Sequence, residues 1–220
     1  VLATYDKEFY NDYKDMIETL IRDYANPTAD SEYCRFRDYD LYEGHSWAGG
    51  YADNDSGNNQ ESASESLFSW IGMYLWGVLT EQNSYRDAGI FGFTNEMETV
   101  KQYWFDYDRT TDNNGNVINS NWVSDYPYQV VAQVYGAINF YGTFFGGQPL
   151  YCYGIHWLPI SEYLTYYGTN QTRCAQIYQG LLDDTDMAIE YAAIDAKNEG
   201  KSDEEIKKIR NDYTRADTGW

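Results

Sequence analysis

The sequence predicts a mainly helical protein that folds as a single domain over residues 1–220. Three observations favour this fold class. Apolar residues recur at three- and four-residue spacing in several long segments, as they do on one face of an amphipathic helix. A chain of 220 residues is long enough to bury one good-sized hydrophobic core. Aromatic residues make up 18 % of the chain, whereas a disordered acidic protein is poor in them.

Two helices are predicted in the first eighty residues. Residues 6–25 carry an amphipathic pattern, which Asn26 and Pro27 end. Residues 28–59 are irregular and rich in Gly, Asp, Asn and Ser, and loops of this length inside a domain are usually functional or disordered. Because this loop contains Trp47 and several Tyr residues, we expect it to be ordered. Residues 60–79 give the clearest helix, whose apolar stripe consists of Leu67, Trp70, Ile71, Tyr74, Leu75 and Val78.

The rest of the chain combines further helices with one short extended region. A helix is expected at about residues 94–106, and the composition of residues 112–116 (DNNGN) is typical of a turn. Between residues 129 and 145 the chain is β-branched and aromatic with glycine breaks, which favours a short hairpin or an irregular extended segment. Three more helices are predicted, at residues 160–166, 171–193 and 203–213.

The composition argues against two broad classes of partner. The chain has 15 Lys and Arg against 35 Asp and Glu, a formal net charge of −20. Nucleic acids and anionic membranes are bound through basic residues, so neither is expected as a partner. An acidic chain with 24 Tyr and 7 Trp suits a neutral ligand with apolar faces, such as a sugar. The odd cysteine count leaves the redox compartment undecided; the cysteines are Cys34, Cys152 and Cys174.

Residues 37–48 (RDYDLYEGHSWA) hold the densest group of chemically useful side chains. Basic, acidic, histidine and aromatic residues fall within this one segment, and Gly44 allows close approach to the backbone. The aromatic faces could stack on pyranose rings. The alternative is a tyrosine-rich loop that folds over the core, and composition alone favours that alternative.

Residues 58–66 (NNQESASES) place two carboxylates four positions apart. If Asn58 or Asn59 caps the helix, Glu61 lies in its first turn and Glu65 one turn later on the same face. Two carboxylates this close repel, which raises the pKa of one toward the range useful for a general acid or base. Neutral hydrogen-bonding partners are expected nearby from Gln60, Ser62 and Ser64. The alternative, which the pattern alone favours, is that Glu61 interacts only with the helix dipole and Glu65 is solvated.

Other patterns are weaker. Residues 53–57 (DNDSG) begin like a calcium loop, but the loop's sixth-position glycine and twelfth-position glutamate are missing, so a turn is predicted. His45 and His156 have no metal-ligand partner at helical spacing, so no metal site is expected. No cofactor is expected either. Residues 154–160 form a compact aromatic turn, as compatible with a structural role as with a ligand-facing one. No phosphate-binding or dinucleotide motif is present.

Five short motifs follow one another along the chain and together resemble one family. Residues 37–48 are similar to Arg-x-x-Asp-x-Tyr-x-Gly-His-Ser-Trp-Ala, and residues 59–65 contain Gln-Glu-Ser-x-Ser-Glu. Leu75-Trp76-Gly77 follows at the expected place. Residues 141–146 (YGTFFG) are similar to Tyr-Ala-Thr-Trp-Phe-Gly with two substitutions, and residues 154–159 to Gly-Ile-x-x-Leu-Pro. These patterns resemble glycoside hydrolase family 81, the inverting endo-β-1,3-glucanases, over most of the chain.

The resemblance implies a fold and a set of site residues. It implies an (α/α)6 barrel, of which this chain forms part, with a cleft that binds β-1,3-glucan. By motif, Glu61 is the general base that activates water, and Glu65 is a second essential carboxylate. The implied substrate-binding residues are Asp40, Tyr42, His45, Trp47 and Gln60.

The resemblance also indicates what this sequence lacks. The family's general acid is an aspartate in an Asp-His-His-Phe-His-Tyr-Gly stretch, which does not occur here. We therefore expect a fragment of the catalytic domain, with the general acid outside this chain. Two carboxylates on one helix cannot easily flank a sugar from opposite faces, so Glu61 and Glu65 are interpreted as base and helper rather than as a retaining pair.

Two functions remain open from the sequence. One is an endo-β-1,3-glucanase (laminarinase) domain that acts with inversion, and the other is a non-catalytic β-1,3-glucan-binding protein. The expected partners are β-1,3-glucan polysaccharides or oligosaccharides and the missing parts of the parent chain. The expected location is extracellular or at the cell wall.

Overall fold

The computed structural model describes residues 1–28, 30, 32–48, 55–123 and 126–212. Within these ranges the protein is mainly helical with a few short strands, as the sequence predicts. The α-helices are α1 (Leu2–Tyr5), α2 (Lys7–Ala25), α3 (Ala63–Leu79), α4 (Asn83–Tyr103), α5 (Pro149–Gly154), α6 (Gln171–Asn198) and α7 (Asp203–Asp212). Two 3₁₀ segments, Ile155–Trp157 and Glu162–Thr169, lie between α5 and α6.

Helix α2 confirms the amphipathic pattern of residues 6–25. Asp6 caps it, because its Oδ1 accepts a hydrogen bond from the backbone N–H of Phe9 at 3.0 Å. The apolar side of α2 packs against a buried aromatic cluster that includes Trp70 and Trp76 of α3. Hydrophobic burial therefore fixes α2 beside α3.

Helices α3 and α4 pack closely because glycines lie at their contact. A Cβ at Gly77 would lie 2.2 Å from the backbone nitrogen of Arg86, and one at Gly89 would lie 2.5 Å from that of Tyr74. The helix predicted at about residues 94–106 corresponds to α4, but the predicted start is wrong, since α4 begins at Asn83. Glycine weakens an isolated helix, but here it allows two helix backbones to approach each other.

The strands are short and pair antiparallel. β1 (Tyr39–Asp40) pairs with β2 (His45–Ser46), and β4 (Thr110–Thr111) pairs with β5 (Val117–Asn119). In a three-stranded sheet, β6 (Gln133–Tyr135) lies between β3 (Asn59–Gln60) and β7 (Asn139–Phe140). The hairpin predicted between residues 129 and 145 is thus confirmed as β6–β7. The turn predicted at residues 112–116 is confirmed as the loop between β4 and β5, where Asp112 accepts two backbone N–H bonds.

The main hydrophobic core lies between α3, α4, residues 130–134, the 3₁₀ segments and α6. Its largest buried members include Trp104, Phe105, Tyr167 and Leu67. The predicted helices at 171–193 and 203–213 correspond to α6 and α7. The predicted helix at 160–166 corresponds to the 3₁₀ helix Glu162–Thr169 instead of an α-helix.

All three cysteines are free thiols: Cys34 is exposed, Cys152 is buried and Cys174 is partly buried. Among the helices that the structure describes, none is both long and apolar enough to cross a membrane.

Candidate active site

An open groove runs between the β1–β2 hairpin, the start of α3 and the loop after β7. It holds about 1060 Å³ of open space. Its walls bring together segments that are far apart in the sequence. The lining residues are Tyr24, Asp38, Ser46, Trp47, Ala48, Gln60, Glu61, Ser62, Glu65, Ser66, Ser69, Phe144, Phe145 and Ile155.

Glu61 lies in the segment between β3 and α3, not on the helix. The predicted helix at 60–79 starts too early, because Asn59 and Gln60 pair with β6 and their backbone groups are used in that sheet. The helix cap is Ser62, whose hydroxyl accepts the N–H of Glu65 at 3.4 Å. The Ser62-x-x-Glu65 spacing is a capping-box signal that marks this start in the sequence.

The surroundings of Glu61 shift its pKa upward. Its side chain is buried, and this burial raises its pKa above the ordinary value. The backbone N–H of Phe144 donates to Oε1 at 3.3 Å and lowers the pKa, whereas the charge of Glu65 raises it. The net shift is upward, which places Glu61 among candidates for proton transfer.

Glu65 lies in the first turn of α3, is exposed and lines the same groove. The negative charge of Glu65 raises the pKa of Glu61. The two predicted carboxylates are therefore neighbours in the groove, although only Glu65 lies on the helix. The helix N-terminus stabilises a negative charge at this position.

The hydroxyl groups of Ser62 and Ser64 donate hydrogen bonds to backbone carbonyls and not to the two carboxylates, as the sequence had suggested they would. The Ser64 hydroxyl donates to the carbonyl oxygens of Leu158 at 2.6 Å and Ile155 at 3.2 Å, and the Ser62 hydroxyl donates to the carbonyl of Ile155 at 3.3 Å. These bonds attach the start of α3 to the 155–158 turn. His156 of that turn is fully buried, and burial lowers its pKa to about 3, so it is a neutral structural residue.

Trp47 forms one wall of the groove, and hydrogen bonds fix its position. Its indole N–H donates to Oδ2 of Asp40 at 3.2 Å, and its backbone N–H donates to the carbonyl of Asp38 at 2.8 Å. The N–H of Ala48 donates to the carbonyl of Asn59 at 2.7 Å, so Trp47 lies beside the segment that leads to Glu61. Gln60, a predicted substrate-binding residue, also lines the groove.

Asp40 supports Trp47 instead of lining the groove. Burial by itself would raise the pKa of Asp40, but hydrogen bonds from the Trp47 indole and from the N–H groups of Glu43 and Tyr42 hold it below its usual value. The acid is therefore held ionised as an acceptor within the hairpin turn.

His45 and Tyr42 are likewise not among the groove-lining residues. His45 is fully buried, and its ring packs against Trp47 at 4.4 Å and Trp104 at 5.1 Å between ring centroids. His45 thus packs in the core, while the neighbouring Ser46 and Trp47 line the groove. Tyr42 is 92 % exposed on the β1–β2 turn.

Phe144 and Phe145 line the groove. They belong to the motif at residues 141–146, but the sequence did not identify them as site residues. Their side chains are 73 % and 75 % exposed, although both are large and apolar. The feature of the sequence that could have indicated them is a pair of adjacent aromatic residues in a short segment bounded by Gly142 and Gly146. Exposed aromatic rings beside a groove are typical stacking faces for a ligand.

Among the described residues, no group of three metal-binding side chains lies close enough together to hold an ion. The weak calcium pattern at 53–57 falls partly outside those residues, since Asp53 and Asn54 are not described.

A groove that combines carboxylates with exposed aromatic rings has the make-up of a carbohydrate-processing site. Comparison with known proteins agrees with this class. The chain belongs to glycosyl hydrolase family 81, since residues 1–190 match the model of that family's C-terminal domain.

Relatives of the chain come from several organisms. It is 34 % identical over 168 residues to a glucan endo-1,3-beta-D-glucosidase of Acetivibrio thermocellus, a match that covers 76 % of this chain and 20 % of the relative. It is 31 % identical over 186 residues to the protein of the same name from Thermobifida fusca, covering 82 % and 23 %.

A solved structure is also similar: a mutant of the family 81 glycoside hydrolase from Clostridium thermocellum matches with a TM-score of 0.72 and 32 % identity. That match covers 81 % of this chain and 24 % of the solved one. The chain thus spans about a fifth to a quarter of the length of the relatives it matches.

Proposed function

We propose that this chain forms part of the substrate cleft of an endo-β-1,3-glucanase that hydrolyses β-1,3-glucan with inversion of configuration. The observation that carries the proposal is Glu61, a buried carboxylate with a raised pKa on an open groove lined by aromatic residues. The names of the relatives and the family membership support the substrate class.

Glu61 is proposed as the general base. An inverting glycosidase needs one carboxylate to take a proton from the attacking water, and this transfer improves as the pKa of the base approaches the working pH. Burial moves the pKa of Glu61 in that direction, and the N–H of Phe144 fixes the orientation of its carboxylate.

Glu65 is proposed as a second carboxylate beside the base. In an inverting enzyme the acid and the base lie roughly 6.5–9.5 Å apart on opposite sides of the scissile bond. Glu61 and Glu65 both come from the segment that begins α3, so they approach a sugar from one side. We therefore assign the general acid to a part of the longer protein outside these 220 residues.

Trp47, Phe144 and Phe145 are proposed to stack on the apolar faces of glucose units, with Gln60 as a polar contact. Asp40 and His45 contribute in this proposal by positioning Trp47. Asp40 accepts the hydrogen bond of its indole N–H, and the ring of His45 packs against it. Tyr42 has no assigned contact, because it lies outside the groove lining.

The helices are proposed to be part of an (α/α)6 barrel that other segments of the longer protein complete. Large apolar side chains of α2 remain exposed in this chain, and a barrel would cover them; they are Tyr13, Met16 and Leu20.

The test uses the longest natural protein that contains this chain, with laminarin as substrate. NMR of the fresh products should show the α-anomer, because inversion converts a β-linkage. Glu61→Gln should lower kcat by at least roughly 10²–10⁴-fold. The matched control is Glu98→Gln on α4, which makes the same chemical change at an exposed residue paired with Lys101 and should leave kcat unchanged.

Two results would contradict the proposal. A β-anomeric product would indicate retention, and unchanged turnover of Glu61→Gln would remove Glu61 from the mechanism. Laminarin binding without any hydrolysis by the wild-type protein would instead support a non-catalytic glucan-binding protein.

The proposed substrate also suggests where the protein works. A polymeric glucan does not cross a membrane, so we place the protein outside the cell or at the cell wall. Fractionation of the source culture tests this: laminarinase activity should appear in the medium or wall fraction, and activity confined to the lysate would refute it.

A further inference from the structure

Glu96 is a buried carboxylate that the proposed mechanism does not use. It lies on α4 with no exposed surface. Its hydrogen bonds come from neutral donors: Oε1 accepts from the Ser46 backbone N–H at 2.9 Å and from the Ser66 hydroxyl. Oε2 accepts from the Ser46 hydroxyl at 2.8 Å and from the Trp70 indole N–H at 2.6 Å.

These donors belong to two different walls of the groove. Ser46 is on β2 and is followed by Trp47, while Ser66 is on α3 and follows Glu65; both serines line the groove. Glu96 therefore connects the two walls through hydrogen bonds on the side that faces the core. Tyr24 extends the connection, because its hydroxyl lies 3.0 Å from Oγ of Ser46 and accepts from the Ser69 hydroxyl at 2.9 Å.

We propose that Glu96 is a positioning residue: it holds the wall that carries Trp47 at a fixed place relative to α3 and so sets the stacking face for the substrate. The inference rests on the proposed function for the identity of that substrate. It does not make Glu96 a catalytic residue, because its contacts are to the wall residues and not to the groove space.

Glutamine cannot replace Glu96 in this role, although it has the same shape. Each oxygen of Glu96 faces one hydroxyl and one N–H group, and the N–H groups are those of Ser46 and Trp70. A hydroxyl can turn round and accept, but a backbone or indole N–H can only donate. Whichever way the amide is placed, its NH₂ meets one of these N–H groups, and a buried donor is left without an acceptor.

The experiment compares Glu96→Gln with Glu98→Gln in the longest natural protein that contains this chain. We expect Glu96→Gln to raise KM for laminarin roughly threefold to tenfold with kcat little changed, because a misplaced Trp47 loses stacking in ground and transition states alike. Glu98→Gln should keep both constants. A purely structural role would reduce the fraction of folded protein, which lowers kcat and leaves KM unchanged, and that result would overturn the inference.

A second readout does not depend on any substrate. The protein is labelled with fluorotryptophan, and the Trp47 signal is assigned as the fluorine resonance missing from Trp47→Phe. Because the hydrogen bonds of Glu96 go to Ser46, Ser66 and Trp70 and not to Trp47, a shift of this resonance in Glu96→Gln but not in Glu98→Gln would support the inference, and an unmoved resonance would overturn it. This readout decides the matter even if the wild-type protein proves inactive on laminarin, a result that refutes only the proposed function.

A milder variant covers the case in which Glu96→Gln does not fold. Ser66→Ala removes a single donor from Glu96 and leaves the carboxylate in place. The same rise in KM and the same shift of the Trp47 resonance, both smaller, are expected. Wild-type values for both would overturn the inference.

Discussion

The contact between α3 and α4 allows a sharp test of the packing behind the groove. A Cβ at Gly92 would lie 2.1 Å from Cδ2 of Trp70, which is 1.3 Å closer than the 3.4 Å at which ordinary contact begins. Trp70 cannot easily move away, because its ring is fully buried and its indole N–H donates to Glu96 at 2.6 Å. Overpacking of this kind costs about 3 kcal/mol at the upper end of its usual range.

The matched substitution is Gly72→Ala on α3, where a Cβ would meet nothing within 4 Å. An alanine in a helix is about 1 kcal/mol more favourable than a glycine, and this gain applies to both sites. Gly92→Ala should therefore destabilise the fold by about 2 kcal/mol, and Gly72→Ala should stabilise it by about 1 kcal/mol.

The assay is urea unfolding followed by far-ultraviolet circular dichroism, with the two variants and the wild type measured side by side. The expected difference between the variants is about 3 kcal/mol in the free energy of unfolding. If Gly92→Ala were as stable as Gly72→Ala, the close approach of α4 to Trp70 would be refuted.

Further predictions concern the groove and the isolated chain. Glu65→Gln removes a charge that raises the pKa of Glu61, so the acid limb of the kcat/KM profile should move to lower pH; a limb that stays in place would contradict their coupling. Trp47→Ala should raise KM for laminarin by up to roughly tenfold, whereas the exposed Tyr191→Ala on α6 should not; equal KM values would remove Trp47 from the binding site. The 220-residue chain alone should turn over laminarin about 10²–10⁴-fold more slowly than the longer protein, since it lacks the proposed general acid, and should self-associate in sedimentation. Comparable turnover would point to an acid within the chain, with Asp38, which lines the groove, the first to test.

The sequence by itself determined the helical class of the protein, because an apolar stripe at helical spacing is a local property of the chain. Both helices were predicted in this way, and the buried side of α3 contains Leu67 and Trp70 of its predicted stripe. Tyr74 and Val78 of that stripe are exposed, because Met73 and Trp76 take the buried positions instead. The boundaries were harder to predict. The first half of α4 contains Gly89 and Gly92, which weaken a helix in isolation, and only the presence of α3 beside them explains why the helix forms there.

The candidate site also depends partly on local sequence and partly on the tertiary structure. The sequence placed Glu61, Glu65, Trp47 and Gln60 in short polar and aromatic segments, and the structure brings all four to one groove. The tertiary structure alone decided how. Pairing of β3 with β6 takes Glu61 off the helix, and burial of His45 between aromatic rings removes it from the groove wall.

Two contributions could not be seen from the sequence at all. The N–H that holds Glu61 belongs to Phe144, and the carboxylate behind the groove belongs to Glu96, fifty residues after Ser46. Local pattern carries information about neighbours a few residues apart. Hydrogen bonds and burial between distant segments exist only once the core has packed, so the pKa of Glu61 and the position of Trp47 are properties of the fold.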